Sequence, residues 1–294
     1  MTLSPTRAPS LAEINRQAAT LCSTGRCAEA LSLLAPPLES RDDTGDPARA
    51  DALNVAGIAS LAVLRLAEAE RYWSECLRVR PDYAEVYGTL GTLLSSLDRL
   101  SEAKSMFMQW VALCPAQASA HNSLGTVLYR LGQRDAARAA YCQAIAIRAD
   151  YAEAHFNHAI VLHELRRLPE AEAAYRQALA GLPDHAQAHN NLGNVLMELG
   201  RLDEADTAYR RALTIQPQYP EALNNLGGAL KAAGRFAEAE LAHRLALAMR
   251  PDYAEAHLNL GATLAELQRL PEAEAAYRAA IALRPDYAEA HYNL

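Results

Sequence analysis

The sequence repeats itself every 34 residues. A proline recurs at this spacing, with Ala149 in its place once, at Pro47, Pro81, Pro115, Pro183, Pro217, Pro251 and Pro285. The text between the prolines recurs as well, for example PDYAEAHLNLGATLAELQRLPEAEAAYRAAIALR from Pro251. Strict self-similarity at a period of this length is typical of repeat proteins, in which each unit buries its apolar face by stacking on its neighbours.

Each unit contains two predicted helices. In the unit that begins at Ala254, an apolar stripe with helical spacing runs along a first helix at His257, Leu260, Gly261 and Leu264. A second stripe follows on a second helix at Leu270, Ala273, Tyr277 and Ala280. The join between the helices holds a glycine in other units, a residue that suits a helix C-terminus, at Gly132, Gly200 and Gly234.

A glycine also stands in the middle of nearly every first helix, where it costs about 1 kcal/mol relative to alanine. The positions are Gly57, Gly91, Gly125, Gly193, Gly227 and Gly261, and Ala159 replaces them once. Repeated use of so unfavourable a residue predicts that the two helices of each unit come into close contact at this point.

These residues resemble the tetratricopeptide repeat pattern of a large residue, Leu-Gly, Ala, an aromatic residue, Ala and Pro. The resemblance covers residues 47–294 and implies an all-α solenoid, a right-handed superhelix of antiparallel helix pairs. Seven full repeats are expected to begin at residues 50, 84, 118, 152, 186, 220 and 254, with a truncated eighth from residue 288.

The two ends differ from the array. Residues 1–10 are predicted to be a flexible tail, and residues 11–46 a degenerate N-terminal capping repeat followed by the polar insertion RDDTGD. At the other end the sequence stops inside a first helix, which predicts that the natural protein continues beyond Leu294. An uncapped end is expected to expose Leu264 and Ala276 and to self-associate.

Composition narrows the partners. The net charge of −7 and the pI of about 5.7 argue against nucleic acid, which needs a basic footprint. Neither a signal peptide nor an uncharged run long enough to cross a membrane is present in the sequence. Five cysteines without a CxxC pair favour a reducing, cytoplasmic setting.

One column of the repeat holds an asparagine in the middle of five successive first helices: Asn157, Asn191, Asn225, Asn259 and Asn293. Asparagine is a poor helix former, so its repeated use favours binding. An amide offers two donors and an acceptor, and a ladder of amides can hold the backbone of an extended peptide. The alternative is that each amide only bonds the adjacent turn. Alanine at Asn191, Asn225 and Asn259 is expected to leave the melting temperature nearly unchanged or to raise it.

Residues just before this column add to the predicted groove, where Asn190 and Asn224 are expected to face a bound peptide. The combinations HFN, HNN, HLN and HYN resemble the tetratricopeptide arm of O-GlcNAc transferase. That resemblance implies an asparagine ladder that holds protein substrates. It does not extend to the earlier units, which carry Val55, Thr89 and Ser123 at the same position.

Three further columns of the repeat carry polar or charged side chains. The histidines His121, His155, His189, His257 and His291 are too far apart to share a metal, because stacked helices are separated by about 8–10 Å. A glutamate column that includes Glu255 either makes the groove acidic or forms a capping box with Asp252 as the N-cap, which is the favoured interpretation. The arginines Arg176, Arg210, Arg244 and Arg278 each follow an acid by four residues and are predicted to form surface ion pairs.

Catalytic motifs such as GxxxxGK, HExxH or GxSxG are not found in the sequence. The chain is therefore predicted to be a protein-interaction scaffold that binds a protein or peptide segment, with no enzyme activity, cofactor or metal of its own. The alternative is that it forms the substrate-recruiting arm of a larger enzyme, most plausibly an O-GlcNAc-transferase-like glycosyltransferase whose catalytic domain follows Leu294.

Overall fold

The computed structural model describes residues 9–39 and 47–294, and within these ranges the regular elements are all α-helices. The chain divides into two compact units, Met1–Ile147 and Arg148–Leu294. Of the predicted tail, only Pro9 and Ser10 are described, and the predicted polar insertion RDDTGD lies outside the described residues.

The first unit contains four helical hairpins. Its helices are α1 (Leu11–Ser23), α2 (Cys27–Glu39), α3 (Pro47–Ala62), α4 (Leu66–Val79), α5 (Ala84–Ser96), α6 (Leu100–Leu113), α7 (Ala118–Arg130) and α8 (Arg134–Ile147). Each odd-numbered helix, called a first helix below, packs against the even-numbered second helix that follows it. Helix α3 begins at Pro47, three residues ahead of the repeat start that the period predicts.

The second unit continues the same alternation. Its helices are α9 (Ala152–Glu164), α10 (Leu168–Gly181), α11 (Ala186–Glu198), α12 (Leu202–Ile215), α13 (Pro220–Ala232), α14 (Phe236–Met249), α15 (Ala254–Glu266), α16 (Leu270–Leu283) and α17 (Ala288–Asn293). The prediction of an all-α array of helix pairs is confirmed.

Close contact at the mid-helix glycines, which the sequence predicts, is also confirmed. A Cβ atom on Gly193 would lie 2.5 Å from the ring of Tyr209, and one on Gly261 would lie 2.7 Å from the ring of Tyr277. At these glycines the first helix therefore rests directly on an aromatic ring of its second helix. Such contacts leave no room for even a methyl group.

The turns within the hairpins use left-handed backbone. Gly200 ends α11 with φ of 74°, a conformation that glycine adopts without steric cost. Gln268 adopts a φ of 59° at the equivalent point after α15. The turn geometry is thus kept even where the glycine is absent.

The prediction that Leu264 and Ala276 are exposed at the end of the array is wrong. Both are buried, at 1% and 7% exposure, because they pack with Tyr277 inside the α15–α16 hairpin, next to Ala290 of α17. The large apolar side chains that are exposed in this region are Leu270, Leu283, Tyr292 and Leu294. Self-association through this end stays a prediction.

Candidate functional site

The two faces of the second unit differ in how tightly their helices pack. Successive first helices, such as α11 and α13, contact one another directly. An open groove separates the second helices α10 and α12, with Leu192 and Leu196 of α11 among its lining residues. The equivalent groove between α12 and α14 has Leu226 and Leu230 of α13 in the same places. The first helices therefore line the closely packed, inner side of this unit.

The asparagine column lies on one stripe of these first helices. Asn157, Asn191, Asn225 and Asn259 are half-buried, and Asn293 is exposed. Residues at spacings of four, three and four share a helix face. On α11 this face, called the inner face below, carries Gln187, Asn191, Asn194 and Glu198, and on α15 it carries Glu255, Asn259, Ala262 and Glu266.

The column amides bridge successive repeats. The amide nitrogen of Asn225 donates to Oδ1 of Asn190 at 3.0 Å and to Oδ1 of Asn194 at 3.1 Å. One repeat later, Asn259 donates to Oδ1 of Asn224 at 3.0 Å. These contacts join α11 to α13 and α13 to α15, so the partner is the neighbouring first helix rather than the adjacent turn.

Asn190 and Asn224 do not line an open groove, contrary to the sequence prediction. They are only 5% and 1% exposed, because the neighbouring first helix covers them. Their side chains act as hydrogen-bond acceptors for the column amides. The sequence predicts that alanine at Asn225 and Asn259 leaves the melting temperature nearly unchanged. The structure indicates a loss of stability instead, because these substitutions would leave the buried side-chain carbonyl groups of Asn190 and Asn224 without donors.

A buried aromatic ring supports the inner face from beneath. The hydroxyl of Tyr209 donates to Oδ1 of Asn194 at 2.8 Å, and in the first unit Tyr141 bonds Thr126 in the same way. One repeat after Tyr209 the pair is replaced by His243 and Gly228.

His243 is fully buried, and neither of its ring nitrogens has a hydrogen-bond partner within the part of the chain that the structure describes. Burial, reinforced by the charge of Lys231, lowers the pKa of His243 to about 4. The imidazole is therefore neutral at physiological pH. A Cβ atom on Gly228 would meet no other atom within 4 Å, so the inner face is open at this residue.

The histidine column has a structural role that sequence reasoning missed. Nε2 of His189 lies 3.0 Å from the carbonyl oxygen of Pro183, and Nε2 of His257 lies 3.0 Å from that of Pro251. His121, His155 and His291 make the same contact six residues back. Each ring thus anchors the turn before its helix. No cluster of three or more potential metal ligands occurs in residues 9–39 and 47–294.

The capping box predicted at Asp252 is wrong. The N-cap of α15 is Tyr253, and no side chain caps this helix. Glu221 at the start of α13 instead forms an ion pair with Arg250. Burial raises the pKa of its carboxyl group, but the hydrogen bond and charge of Arg250 outweigh this effect and lower the pKa. Glu255 accepts a long hydrogen bond of 3.5 Å from Asn224.

The ion pairs predicted for the arginine column are confirmed. Nε of Arg210, for example, lies 2.5 Å from Asp206. The structure adds a link between repeats that the four-residue spacing does not reveal, because Arg235 of the next repeat binds Asp206 at 2.7 Å as well. The second helices are therefore joined by a continuous series of paired charges.

Comparison with known families is consistent with this architecture. Models of the tetratricopeptide repeat match residues 122–185, 156–220 and 192–245, and further models of this repeat match residues 84–117 and 263–294. The chain therefore belongs to the tetratricopeptide repeat family. No curated protein matches it. The particular resemblance to O-GlcNAc transferase stays a prediction.

Solved structures share the fold. YrrB, described as a tetratricopeptide repeat protein with an unusual peptide-binding site, superposes with a TM-score of 0.56 and 22% identity over 63% of this chain and 96% of YrrB. PilF of Pseudomonas aeruginosa gives 0.63 and 19% over 71% of this chain and 95% of PilF. A chain of the APC/C hetero-tetramer Cut9–Hcn1 gives 0.64 and 17% over 96% of this chain and 54% of that one. At such identities the likeness shows the fold alone.

None of the helices within residues 9–39 and 47–294 is both long enough and apolar enough to span a membrane.

Proposed function

We propose that the chain is a protein-interaction scaffold that holds an extended segment of another protein across the inner face of its second unit. The observation that carries this proposal is the asparagine column, which presents Asn157, Asn191, Asn225, Asn259 and Asn293 on successive first helices. An extended segment crossing these helices would meet one amide at each step.

The bridging hydrogen bonds leave the acceptor oxygens of two column amides, Asn225 and Asn259, for a ligand. Asn225 uses its two N–H donors on Asn190 and Asn194, while its Oδ1 accepts no hydrogen bond from the described residues. Oδ1 of Asn259 is likewise left without a donor in the described part of the chain. A peptide backbone N–H is an obligatory donor that matches such an acceptor.

The same bonds hold the column amides in one orientation before any ligand arrives. Groups that are already ordered lose less side-chain entropy on binding. The hydrogen-bonded frame of Asn190 and Asn224 therefore supports a binding role for the exposed edge of the column instead of competing with it. The description of YrrB as having a peptide-binding site supports peptide binding by arrays of this fold.

The test is selection from a library of random 12-residue peptides against the whole chain, followed by fluorescence anisotropy with the enriched peptides. The variant Asn191→Ala/Asn225→Ala/Asn259→Ala should bind them at least tenfold more weakly, because each lost hydrogen bond contributes about 1 kcal/mol. Circular dichroism at the assay temperature must show that the variant is folded.

A matched control changes the same column in the first unit. The variant Thr89→Ala/Ser123→Ala should bind the selected peptides as wild type does. Unchanged affinity in the asparagine variant, or no peptide enriched above background, would contradict the proposal.

A further inference from the structure

One repeat of the first unit exchanges a large and a small side chain between its two helices. Trp110 on α6 stands where other repeats carry a small residue, and Gly88 on α5 stands where they carry a larger one. The small residues are Cys76, Ala144, Ala178, Ala212, Ala246 and Ala280. The larger residues are Asn54, Asn122, Phe156, Asn190, Asn224 and Leu258. In this repeat the second helix therefore supplies the bulk that the first helix supplies elsewhere.

Gly88 allows the ring of Trp110 to reach the surface of the first helices. A Cβ atom on Gly88 would lie 3.1 Å from Cε3 and Cζ3 of this ring, so the backbone of α5 rests against it. Trp110 is only partly buried, although Phe107 packs beside it with the ring centroids 6.3 Å apart. The other tryptophan of the chain, Trp73, is fully buried. Trp110 is thus the tryptophan that a ligand can contact.

A pocket of about 420 Å³ opens beside this ring and is called the tryptophan pocket below. Its apolar walls are Leu61 of α3, Leu93 of α5 and Trp110. The hydroxyl group of Thr92, which also lines the pocket, already donates to the carbonyl oxygen of Gly88 at 2.8 Å. The pocket therefore offers mainly apolar surface, and its volume is within the range of pockets that bind small ligands.

Beside the lining residue Leu61, an exposed leucine adopts a backbone conformation that suits glycine. Leu64 follows Leu61 by three residues in the turn after α3, and its φ is 61°. Equivalent turns use Gly132, Gly200 and Gly234, because other residues are strained in left-handed backbone. The side chain of Leu64 is 82% exposed and so contributes little to the fold. A strained residue with an exposed apolar side chain indicates a contact surface.

The tryptophan pocket also carries a negative charge. Glu85 is the charged residue among those that line it, and it forms no ion pair with any residue that the structure describes. Acids of the neighbouring second helices are paired, since Glu70 of α4 and Glu102 of α6 both bind Arg99. A ligand that carries a cation next to its apolar group would therefore gain an ion pair with Glu85.

We propose that the tryptophan pocket binds a large aromatic side chain of a partner protein, with a lysine or arginine next to it in the partner's sequence. An aromatic side chain buries a large apolar area and gains further energy by packing against another ring, here that of Trp110. The adjacent base pairs with Glu85. This inference does not rest on the proposed function, because the pocket lies in the first unit, where the asparagine column is replaced by Thr89 and Ser123.

The test uses three 12-residue peptides without tryptophan, in which glycine and serine flank a central phenylalanine–lysine, serine–lysine or phenylalanine–glutamate pair. They are titrated into the whole chain at low ionic strength while tryptophan emission is recorded. Trp73 is fully buried, so a change in emission reports on Trp110.

The phenylalanine–lysine peptide should bind about tenfold more tightly than the serine–lysine peptide, because it buries an aromatic ring. It should bind about threefold more tightly than the phenylalanine–glutamate peptide, which is the effect of one exposed ion pair.

Two double variants locate the site. Leu61→Ser/Leu64→Gly removes apolar side chains at the pocket and should weaken binding of the phenylalanine–lysine peptide by about fivefold or more. Because glycine suits the left-handed turn, this variant should keep its melting temperature. The control Met108→Ser/Ile147→Ser removes two exposed apolar side chains of the second helices and should change the affinity by less than about twofold.

A further pair of variants tests the charge. Glu85→Gln should remove the preference for lysine over glutamate beside the phenylalanine. Asp135→Asn, which changes an exposed acid on α8, should keep that preference. If the wild-type chain binds the phenylalanine–lysine and phenylalanine–glutamate peptides equally, the basic neighbour is wrong.

Three outcomes would overturn the pocket itself. The first is equal binding of the phenylalanine–lysine and serine–lysine peptides, or no change in emission with either. The second is unchanged binding to Leu61→Ser/Leu64→Gly. The third is loss of binding in Asn191→Ala/Asn225→Ala/Asn259→Ala, because the peptide would then lie on the second unit. Binding that persists in this asparagine variant supports a separate site.

Discussion

Two series of side chains join the repeats of the second unit, one on the first helices and one on the second. The amide series, on the first helices, consists of neutral side chains, in which Asn225 and Asn259 donate to the buried Asn190 and Asn224. The ion-pair series, on the second helices, consists of exposed charges, in which Arg235 and Arg210 share Asp206. The charges of the ion-pair series compensate one another. The amide series instead leaves acceptor oxygens, those of Asn225 and Asn259, without a donor in the described residues.

This difference indicates which face binds a partner. A partner for the second helices would have to displace arginines that are already paired, at a cost in desolvation and lost ion pairs. The inner face offers hydrogen-bonding groups already fixed in place. The following predictions probe the two series, beginning with the largest effect.

The largest effect on stability is expected at His243, which with Gly228 replaces the hydrogen-bonded pair Tyr209 and Asn194 of the preceding repeat. Its pKa in the folded chain is about 4, below the ordinary value of 6.5, so the unfolded chain takes up the proton first. The contribution of neutral His243 to the free energy of unfolding is fully present above pH 6.5. It is lost as the pH falls toward 4, a decrease of about 3 kcal/mol. Urea denaturation at a series of pH values measures this loss.

The control for this prediction restores the pair of the preceding repeat. The variant Gly228→Asn/His243→Tyr recreates Asn194 and Tyr209 and should remove about 3 kcal/mol of the pH dependence. An unchanged difference between pH 7 and pH 4 in this variant would show that carboxylates, and not His243, cause the acid sensitivity.

A slightly smaller effect is expected where a glycine lies in close contact with the ring of its second helix. Gly193→Ala would place a methyl group 2.5 Å from the buried ring of Tyr209 and should destabilise the chain by about 2 kcal/mol. Gly228→Ala meets no atom within 4 Å and should stabilise the chain by up to about 1 kcal/mol through helix propensity. Urea midpoints that shift in the same direction for both variants would contradict the packing described here.

The amide series should contribute more to stability than the ion pairs. Asn225→Ala leaves Oδ1 of Asn190 buried without its donor and should cost about 1–2 kcal/mol. Asn191→Ala, which removes only a weak acceptor at 3.3 Å from Asn190, serves as the comparison and should cost less. Thermal denaturation of the two variants gives the difference.

The smallest effect is expected for the ion pairs of the second helices. Arg235→Gln removes contacts to Asp206 and Glu238 that are exposed to solvent, so it should cost less than about 1 kcal/mol. The loss should shrink further in 1 M salt, where such charges are screened. A larger or salt-independent loss would mean that the arginine supports the fold through packing instead.

The helix pairs and their contact points could be predicted from the sequence because both depend on the 34-residue period alone. Gly193 stands against Tyr209 within one hairpin, where the short turn fixes the geometry. The contact of each column histidine with the preceding turn could also have been predicted, since each of these histidines follows a proline or alanine by six residues. That six-residue spacing is the signal in the sequence that indicates these anchors.

The contacts between repeats could not be predicted in the same way. Asn225 bonds Asn190, 35 residues earlier, and Arg235 bonds Asp206, 29 residues earlier. Whether an amide meets its neighbour or a ligand depends on the stacking angle of the hairpins, which no spacing in one chain specifies. The misplaced cap at Asp252 has a related cause, because α15 begins one residue later than a capping box would require.

The central claim, that an extended segment of another protein lies on the inner face of the second unit, is tested most directly by site-specific photo-cross-linking. A benzophenone amino acid is placed at Ala262 on the inner face of α15 or at Ala248 on the exposed side of α14. A 12-residue peptide selected against the whole chain is then added, the mixture is irradiated, and the cross-links are mapped by mass spectrometry. We predict cross-links from residue 262 and none from residue 248. Cross-links from residue 248 alone would place the partner on the second helices and contradict this account.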